Sequence, residues 1–138
     1  MDTAEQQHVV LVVEDDRPVG ELLASAIGDE PGYQAIHVMD PAEAIEAVKQ
    51  VKPDVFVMDV KLPGMSGVEL YDRLRRDDPT RDVPVLFETV GDVEAAGELR
   101  RRGVAAYVRK PFDINEVVAF VKMLAGQGSR ALGRETLG

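Results

Sequence analysis

The chain has 138 residues, 45% of them hydrophobic, which predicts one globular domain with a core of its own. It has no cysteine and two histidines, which excludes disulfides, thiolate metal sites and cysteine nucleophiles and argues against an imidazole zinc site. The net charge of −9 disfavours nucleic-acid binding, and no apolar run is long enough for a membrane span. The polar N-terminus does not resemble a signal peptide, so we expect a cytoplasmic protein without membrane association.

Short valine-rich runs alternate along the chain with amphipathic segments. In chain order, the runs that predict strands buried on both faces are Val9–Val13, Ala35–Met39 (the weakest candidate), Val55–Met58, Val83–Phe87 and Ala105–Val108. The segments between them carry apolar residues at the spacing of one helix face, most clearly from Val19 to Ile27 and from Val117 to Leu124.

Capping residues mark the predicted helix starts. Asp40 precedes a proline, which suits the first position of a helix. Ser66 with Glu69, and Asp113 with Glu116, have the spacing of a capping box. Five strands that alternate with five helices predict an α/β fold in which right-handed crossovers join parallel strands and helices cover both faces of the sheet.

Charged and hydroxyl residues stand where the predicted strands end. They are Glu14, Asp15 and Asp16 after the first strand, Asp59 after the third, Glu88 and Thr89 after the fourth, and Arg109 and Lys110 after the fifth. Ligands of open parallel sheets bind beyond the carboxyl ends of the strands. We therefore expect these separated segments to meet at one edge of the sheet.

The acidic residues at this edge would repel one another in a partly buried setting, and a divalent cation would offset that repulsion. Oxygen ligands without soft donors suit Mg²⁺, which binds through a few carboxylates together with a phosphate. Lys110 would add a positive charge and Thr89 a hydrogen-bond donor. Together these groups predict a phosphoryl-binding pocket, whereas Asp16 by itself is better interpreted as a helix cap.

Four stretches carry a resemblance to a known family. VVLVVEDD, VFVMDVKLPGMSG, VPVLFET and AYVRKPF, in this order and at these separations, resemble the CheY-like receiver domain of two-component response regulators. The resemblance implies a flavodoxin-like three-layer sandwich with sheet order 2-1-3-4-5. It divides the chain into a flexible N-terminal segment (residues 1–7), a receiver domain (residues 8–125) and a flexible tail or linker (residues 126–138).

The resemblance also implies a reaction and a cofactor. Asp59 would accept a phosphoryl group from the phosphohistidine of a sensor histidine kinase or phosphotransfer protein. Mg²⁺ would be bound by Asp15, by Asp59 and by the backbone carbonyl of Lys61, and Glu14 would hold the ion through water. Such a protein is a phosphoacceptor in signalling rather than a conventional turnover enzyme.

The resemblance also implies which residues bind the phosphoryl group and which change conformation when it is bound. Thr89 and Lys110 would bind the phosphoryl group, and Tyr107 would change its packing as Thr89 moves. The bond between Lys110 and Pro111 occupies the place of a family pair that is often cis. The surface of the fourth helix, fifth strand and fifth helix would then control an unknown downstream protein, with a homodimer through the same surface as a possibility.

Three positions depart from the family pattern. Glu88 stands where an apolar or small residue is usual, and a side chain there that points into the sheet needs a partner, for which Lys110 or an arginine is the candidate. Val90 stands where alanine or glycine is common. Lys61 occupies a variable position that tunes dephosphorylation in the family.

Other functions remain open from the sequence. A degenerate receiver would bind proteins independently of phosphorylation, and the departures at Glu88 and Val90 favour it. A phosphatase or phosphotransferase would need an aspartate two residues after the nucleophile, where this chain has Lys61. An FMN protein would need a glycine- or hydroxyl-rich loop after the first strand, where this chain has acids. His8 and His37 are interpreted as structural.

Overall fold

Five parallel strands form the central sheet of the computed structural model, which describes residues 7–91 and 93–137, with side chains up to residue 126. The strands are β1 (His8–Val13), β2 (Tyr33–Val38), β3 (Val55–Asp59), β4 (Val85–Thr89) and β5 (Tyr107–Arg109). They are arranged in the order β2-β1-β3-β4-β5. The predicted α/β fold and its sheet order are confirmed.

Helices connect the strands and cover both faces of the sheet. Within the described residues they are α1 (Arg17–Gly28), α2 (Pro41–Ala47), α3 (Gly67–Arg76), α4 (Val93–Arg101) and α5 (Ile114–Leu137), with a 3-10 turn at Asp78–Thr80. None of the described helices is both long and apolar enough to cross a membrane.

Most of the predicted helix caps are present. The side chains of Asp16 and Asp40 accept hydrogen bonds at the starts of α1 and α2. Ser66 forms the full capping box with Glu69 at the start of α3. Asp113 caps α5 differently from the prediction, because its carboxylate accepts a hydrogen bond from the amide of the second helical residue, 2.8 Å away, rather than from that of the third.

Strand β4 begins two residues later than its apolar run predicts. The amide of Val83 donates a hydrogen bond to Thr80 O at 3.2 Å, which keeps Val83 in the preceding turn. Pro84 has no N–H to donate to a neighbouring strand. The apolar run predicted the existence of this strand correctly. Its first residue is set by the turn that contains Val83 and by the missing N–H of Pro84.

The chain ends bear on the predicted division into segments. Residues 1–6 lie outside the described part of the chain, and α5 extends beyond residue 125 to Leu137. The boundaries 1–7, 8–125 and 126–138 stay a prediction.

The sheet separates two hydrophobic clusters. Toward α2, α3 and α4 the strands present Leu11, Val13, Phe56, Met58, Val85 and Phe87. Toward α1 and α5 they present Val10, Val12, Val55, Val57, Leu86 and Val108. These residues alternate along each strand, as side chains in an extended backbone must. The residues that face α1 and α5 therefore continue in steps of two to the carboxyl ends of the strands, on the same face of the sheet.

One ion pair connects α3 to the end of α4. Nε and Nη2 of Arg102 donate to the two carboxylate oxygens of Asp72 at 2.8 and 2.9 Å. These hydrogen bonds lower the pKa of Asp72. Both side chains are about one-third exposed, so solvent screens the pair and limits its contribution to stability.

Asp72→Asn should lower the free energy of unfolding by about 0.5–1 kcal/mol at neutral pH. Because the pKa of Asp72 is lower in the folded chain than in the unfolded chain, its contribution is complete above the unfolded pKa. The contribution disappears as the pH falls through the folded pKa. Urea unfolding at neutral pH and at a series of lower pH values measures this, since the difference between the two proteins should shrink once the pH falls below the unfolded pKa of the carboxyl. Glu21→Gln, an exposed change on α1, is the control, and its difference in stability from the wild type should not depend on pH in this way.

Candidate functional site

One face of the sheet supplies most of the acidic site. On the face that packs against α1 and α5, alternate strand residues are apolar and buried until the strands end. The next position in that alternation is Glu14 after β1, Asp59 on β3, Glu88 on β4 and Lys110 after β5. Asp59 and Glu88 are direct register partners. Strand periodicity therefore brings three carboxyl groups and an ammonium group to one place.

Three of the predicted metal-binding residues lie together. Carboxylate oxygens of Glu14, Asp15 and Asp59 all lie within 4.8 Å of one another. Glu14 and Asp59 are buried, whereas Asp15 is exposed and leaves the cluster open to solvent. A set of oxygen donors with one side toward water suits a hard cation such as Mg²⁺, which retains several water ligands. The donor chemistry at this edge therefore fits the predicted ion.

Asp59 is held through both of its carboxylate oxygens. The Lys61 amide donates to Oδ1 at 3.0 Å, and the Lys110 ammonium donates to Oδ2 at 2.5 Å. The residue is 5% exposed. These contacts fix the orientation of the carboxylate at the mouth of the cluster. The part assigned to the backbone carbonyl of Lys61 stays a prediction.

Lys110 supplies the positive charge of the site. Its Nζ lies 3.8 Å from Glu14 Oε1, in addition to its contact with Asp59. Burial alone would lower the pKa of Lys110, but the hydrogen bond and the surrounding carboxylates outweigh burial and raise it. Its amide donates to Thr89 O at 2.7 Å, and the bond to Pro111 is cis. The ammonium group is therefore charged and anchored beside the acids.

Glu88 is the residue whose surroundings differ most from the prediction. It is 0% exposed, and its carboxyl lies against that of Glu14, with which it shares a hydrogen bond when Glu88 is protonated. The predicted pairing with Lys110 or an arginine is wrong, because among the described residues Glu88 forms no ion pair with either. Burial, the hydrogen bond with the Glu14 carboxyl and the charges of Glu14 and Asp59 together raise the pKa of Glu88 to about 9, so this carboxyl is neutral at pH 7. Burial likewise raises the pKa of Glu14.

Thr89 and Tyr107 lie together beside α4. Both line a cavity of about 530 Å³ between α4 and β5. Thr89 is 3% exposed, and its hydroxyl accepts a hydrogen bond from the Gly91 amide at 3.2 Å. Tyr107 is 36% exposed on the edge strand. The structure thus brings the two residues of the predicted switch into one cavity, while the switching role of Tyr107 stays a prediction.

His37 supports the site in a way that sequence reasoning missed. Its Nε2 lies 2.8 Å from the backbone carbonyl of Glu14, and since a carbonyl only accepts, Nε2–H is the donor. The ring packs over Gly20 of α1, where an added Cβ would lie 2.0 Å from Nε2. His37 is structural as interpreted, but its contact is with the backbone of a metal-site residue.

Gly67 is a second supporting residue that the sequence did not reveal. Its amide donates to Val60 O at 2.7 Å. An added Cβ would lie 2.1 Å from the backbone oxygen of Asp59 and 3.1 Å from the Cα of Val60. The first residue of α3 must therefore be glycine for the helix to pack directly on the end of β3. Nothing in a single sequence distinguishes this glycine from an ordinary one near a helix start.

Comparisons with known proteins agree with this geometry. The family model of the response regulator receiver domain matches residues 10–122. The phosphate regulon transcriptional regulatory protein PhoB of Pseudomonas aeruginosa is 34% identical over 114 residues, which cover 82% of this chain and 49% of that protein. "Probable transcriptional regulatory protein TcrX" of Mycobacterium tuberculosis is 40% identical over 129 residues, which cover 90% and 53%. The chain thus spans about half the length of these curated relatives.

A solved structure extends the agreement to three dimensions. The receiver domain of the Francisella response regulator 1452 matches with a TM-score of 0.79 and 25% identity, covering 88% of this chain and 99% of that one. The family model covers most of the chain, including both Asp59 and Lys110. The chain belongs to the response regulator receiver domain family of two-component systems.

Proposed function

We propose that this chain is a phosphorylation-dependent signalling receiver in which Asp59 accepts a phosphoryl group from a phosphohistidine. The donor is a sensor histidine kinase or a phosphotransfer protein. The observation that carries the proposal is the setting of Asp59, whose Oδ2 is bound by Lys110 and which lies within 4.8 Å of Glu14 and Asp15. A buried carboxylate among two further acids and one ammonium suits phosphoryl transfer better than simple surface binding.

In the proposed transfer, a carboxylate oxygen of Asp59 attacks phosphorus and forms the new O–P bond. The P–N bond to the imidazole breaks, and its electron pair stays on the imidazole nitrogen. The transition state carries its charge on the equatorial phosphoryl oxygens. Lys110 neutralises part of that charge, and the Thr89 hydroxyl, which accepts from the Gly91 amide, donates its own O–H to a phosphoryl oxygen.

Mg²⁺ is the proposed cofactor of this transfer. Asp15, Asp59 and the backbone carbonyl of Lys61 would hold the ion directly, and Glu14 would hold it through water. When bound, Mg²⁺ supplies neutralising charge to the phosphoryl oxygens and offsets the repulsion among the acids. The three carboxylates that support this assignment are those within 4.8 Å of one another.

The proposed output is a change at the surface of α4, β5 and α5. Thr89 would move toward a phosphoryl group, and Tyr107 would repack in the cavity that the two residues share. This surface would then control a downstream protein and could join two copies of the chain. Acting in the cytoplasm without its own contact to nucleic acid or membrane, the domain would be a switch rather than a turnover enzyme.

Acetyl phosphate labelling in the presence of Mg²⁺ tests the proposal. We expect one phosphoryl group per chain, released by hydroxylamine as an acyl phosphate is, and no labelling after Mg²⁺ is removed with EDTA. Beryllofluoride with Mg²⁺ should shift the NMR signals of Thr89, Tyr107 and Lys110. An unlabelled protein whose spectrum does not respond to beryllofluoride would contradict phosphorylation-dependent signalling.

A phosphorylation-independent binding module is the second candidate, and the buried Glu88 carboxyl beside the site, a departure from the family pattern, favours it. It would bind its partner equally well with or without beryllofluoride. Titration of the same partner under both conditions distinguishes the two functions, because only the first requires a difference in affinity.

A further inference from the structure

His37 is a side chain at the carboxyl edge of the sheet that the proposed phosphoryl transfer does not use. It is half-buried near the end of β2, where it is the register partner of Val12. Nε2 of its ring donates to the carbonyl oxygen of Glu14 at 2.8 Å. The contact joins positions 23 residues apart, and it falls on the first residue of the acidic turn, which we define as Glu14–Asp16.

The backbone of Glu14 is therefore held by β2 through both of its polar groups. Its amide donates to Val38 O at 3.0 Å, and its carbonyl accepts from His37. The carbonyl of Glu14 and the amide of Asp15 belong to one planar peptide unit, so a bond that fixes the first also fixes the second. Because Asp15 is exposed, packing around its side chain contributes little to its direction, and the peptide unit before it supplies that direction.

Gly20 of α1 provides the space in which the His37 ring makes this contact. An added Cβ at Gly20 would lie 2.0 Å from Nε2, 2.2 Å from Cε1 and 2.6 Å from Cδ2 of the ring. Any larger residue would therefore displace the ring from the Glu14 carbonyl. Glycine inside a helix is less favourable than alanine, so the benefit of glycine at this position lies in the contact with β2.

We propose that His37 is a positioning residue of the cation site. By holding the Glu14 carbonyl it fixes the peptide unit that leads into Asp15, and so aims the Asp15 carboxylate at the position that it shares with Asp59. Binding of divalent cations is stronger as a result. The inference rests on the proposed function, because it concerns the same Mg²⁺ site. His37 does not touch the ion and acts through the backbone.

Isothermal titration calorimetry with Mg²⁺ tests the inference on wild-type protein and on His37→Phe. Phenylalanine keeps an aromatic ring over Gly20 but cannot donate to the carbonyl, so we expect the dissociation constant to rise about 10-fold, as it does when a group that orients metal ligands is lost. His8→Phe makes the same substitution at the start of β1, where His8 contacts the Tyr33 ring, and should bind Mg²⁺ like the wild type. Equal affinity of His37→Phe and wild type would overturn the inference.

NMR of the metal-free proteins measures the positioning directly. His37→Phe should shift the amide signal of Asp15, because that amide shares a peptide unit with the carbonyl that loses its donor. His8→Phe should leave the Asp15 amide signal where it is in the wild type. A residue that only fills space in the fold would change the melting temperature without changing this signal, so an unmoved Asp15 amide in His37→Phe would contradict the inference.

Gly20→Ala tests the same link without changing the imidazole. Its methyl group should displace the ring, so the dissociation constant for Mg²⁺ should rise. In a His37→Ala background no ring occupies that space, and adding Gly20→Ala should leave the dissociation constant unchanged, since effects of residues in contact are not additive. An equal rise in both backgrounds, or no rise in either, would refute the link through the ring even if His37→Phe failed to fold.

The outcomes separate this inference from the proposed function. If the wild type binds Mg²⁺ and Asp59→Asn weakens that binding while His37→Phe does not, the receiver site stands and the role of His37 is refuted. If the wild type does not bind Mg²⁺ at all, both are refuted.

Discussion

Asp59→Asn is expected to abolish phosphoryl uptake from acetyl phosphate. An amide is not a competent acceptor, and no other carboxylate in the described structure is held in the same way. The Asp59 carboxylate accepts from the Lys61 amide on one oxygen and from the Lys110 ammonium on the other. An asparagine side chain would point its NH₂ group at one of these donors, so the variant loses a hydrogen bond as well as the acceptor.

Intact-protein mass spectrometry after incubation with acetyl phosphate and Mg²⁺ measures this effect. Labelling of Asp59→Asn should be below detection under conditions that label the wild type. Asp29→Asn, at an exposed position after α1, should be labelled like the wild type. If Asp59→Asn were labelled at the wild-type rate, the acceptor would be another residue and the assignment would fail.

Gly67→Ala is expected to lower the free energy of unfolding by about 1–3 kcal/mol, the usual cost of forcing an atom into a packed region. The added Cβ would lie 2.1 Å from the backbone oxygen of Asp59, and backbone cannot move aside as a flexible side chain can. Either α3 shifts outward or the end of β3 moves. Because the end of β3 carries the phosphoacceptor, phosphoryl labelling should also slow.

Gly97→Ala provides a control in which the free energy of unfolding should change in the opposite direction. Gly97 lies inside α4, where an added Cβ would contact only the Nη1 of Arg101, at 3.6 Å. Alanine favours the helix over glycine, so this variant should be more stable than the wild type by about 0.5–1 kcal/mol. Urea unfolding of both variants measures the contrast. A Gly67→Ala protein as stable as the wild type would show that the close approach of α3 and β3 is not required.

Several features of the site followed from local pattern alone. The apolar runs placed four strand ends at one edge, and the alternation of side chains determined which residues share a face. That Glu14, Asp59 and Lys110 would meet was therefore predictable, since parallel strands end together and their register is set by hydrophobic periodicity. The helix caps at Asp16, Asp40 and Ser66 are equally local, because each depends on a bond three residues away.

Other features depended on distances that no local pattern contains. Lys110 could have reached Glu88 or Asp59, and only the packed structure shows that it binds Asp59 while Glu88 lies against Glu14. His37 reaches the carbonyl of Glu14 across 23 positions of sequence. Gly67 is required by the backbone of Asp59, which belongs to a different element.

The sequence by itself determined the α/β architecture, the strand order through the family resemblance, and the set of acids and the lysine at the carboxyl edge. Periodicity and capping act over a few residues, so they can be read directly from the chain. The tertiary structure decided which charges are paired, which acid is buried against another acid and which glycine permits a helix to touch a strand. Those outcomes depend on competition among atoms brought together from distant segments, and only the packed chain resolves that competition.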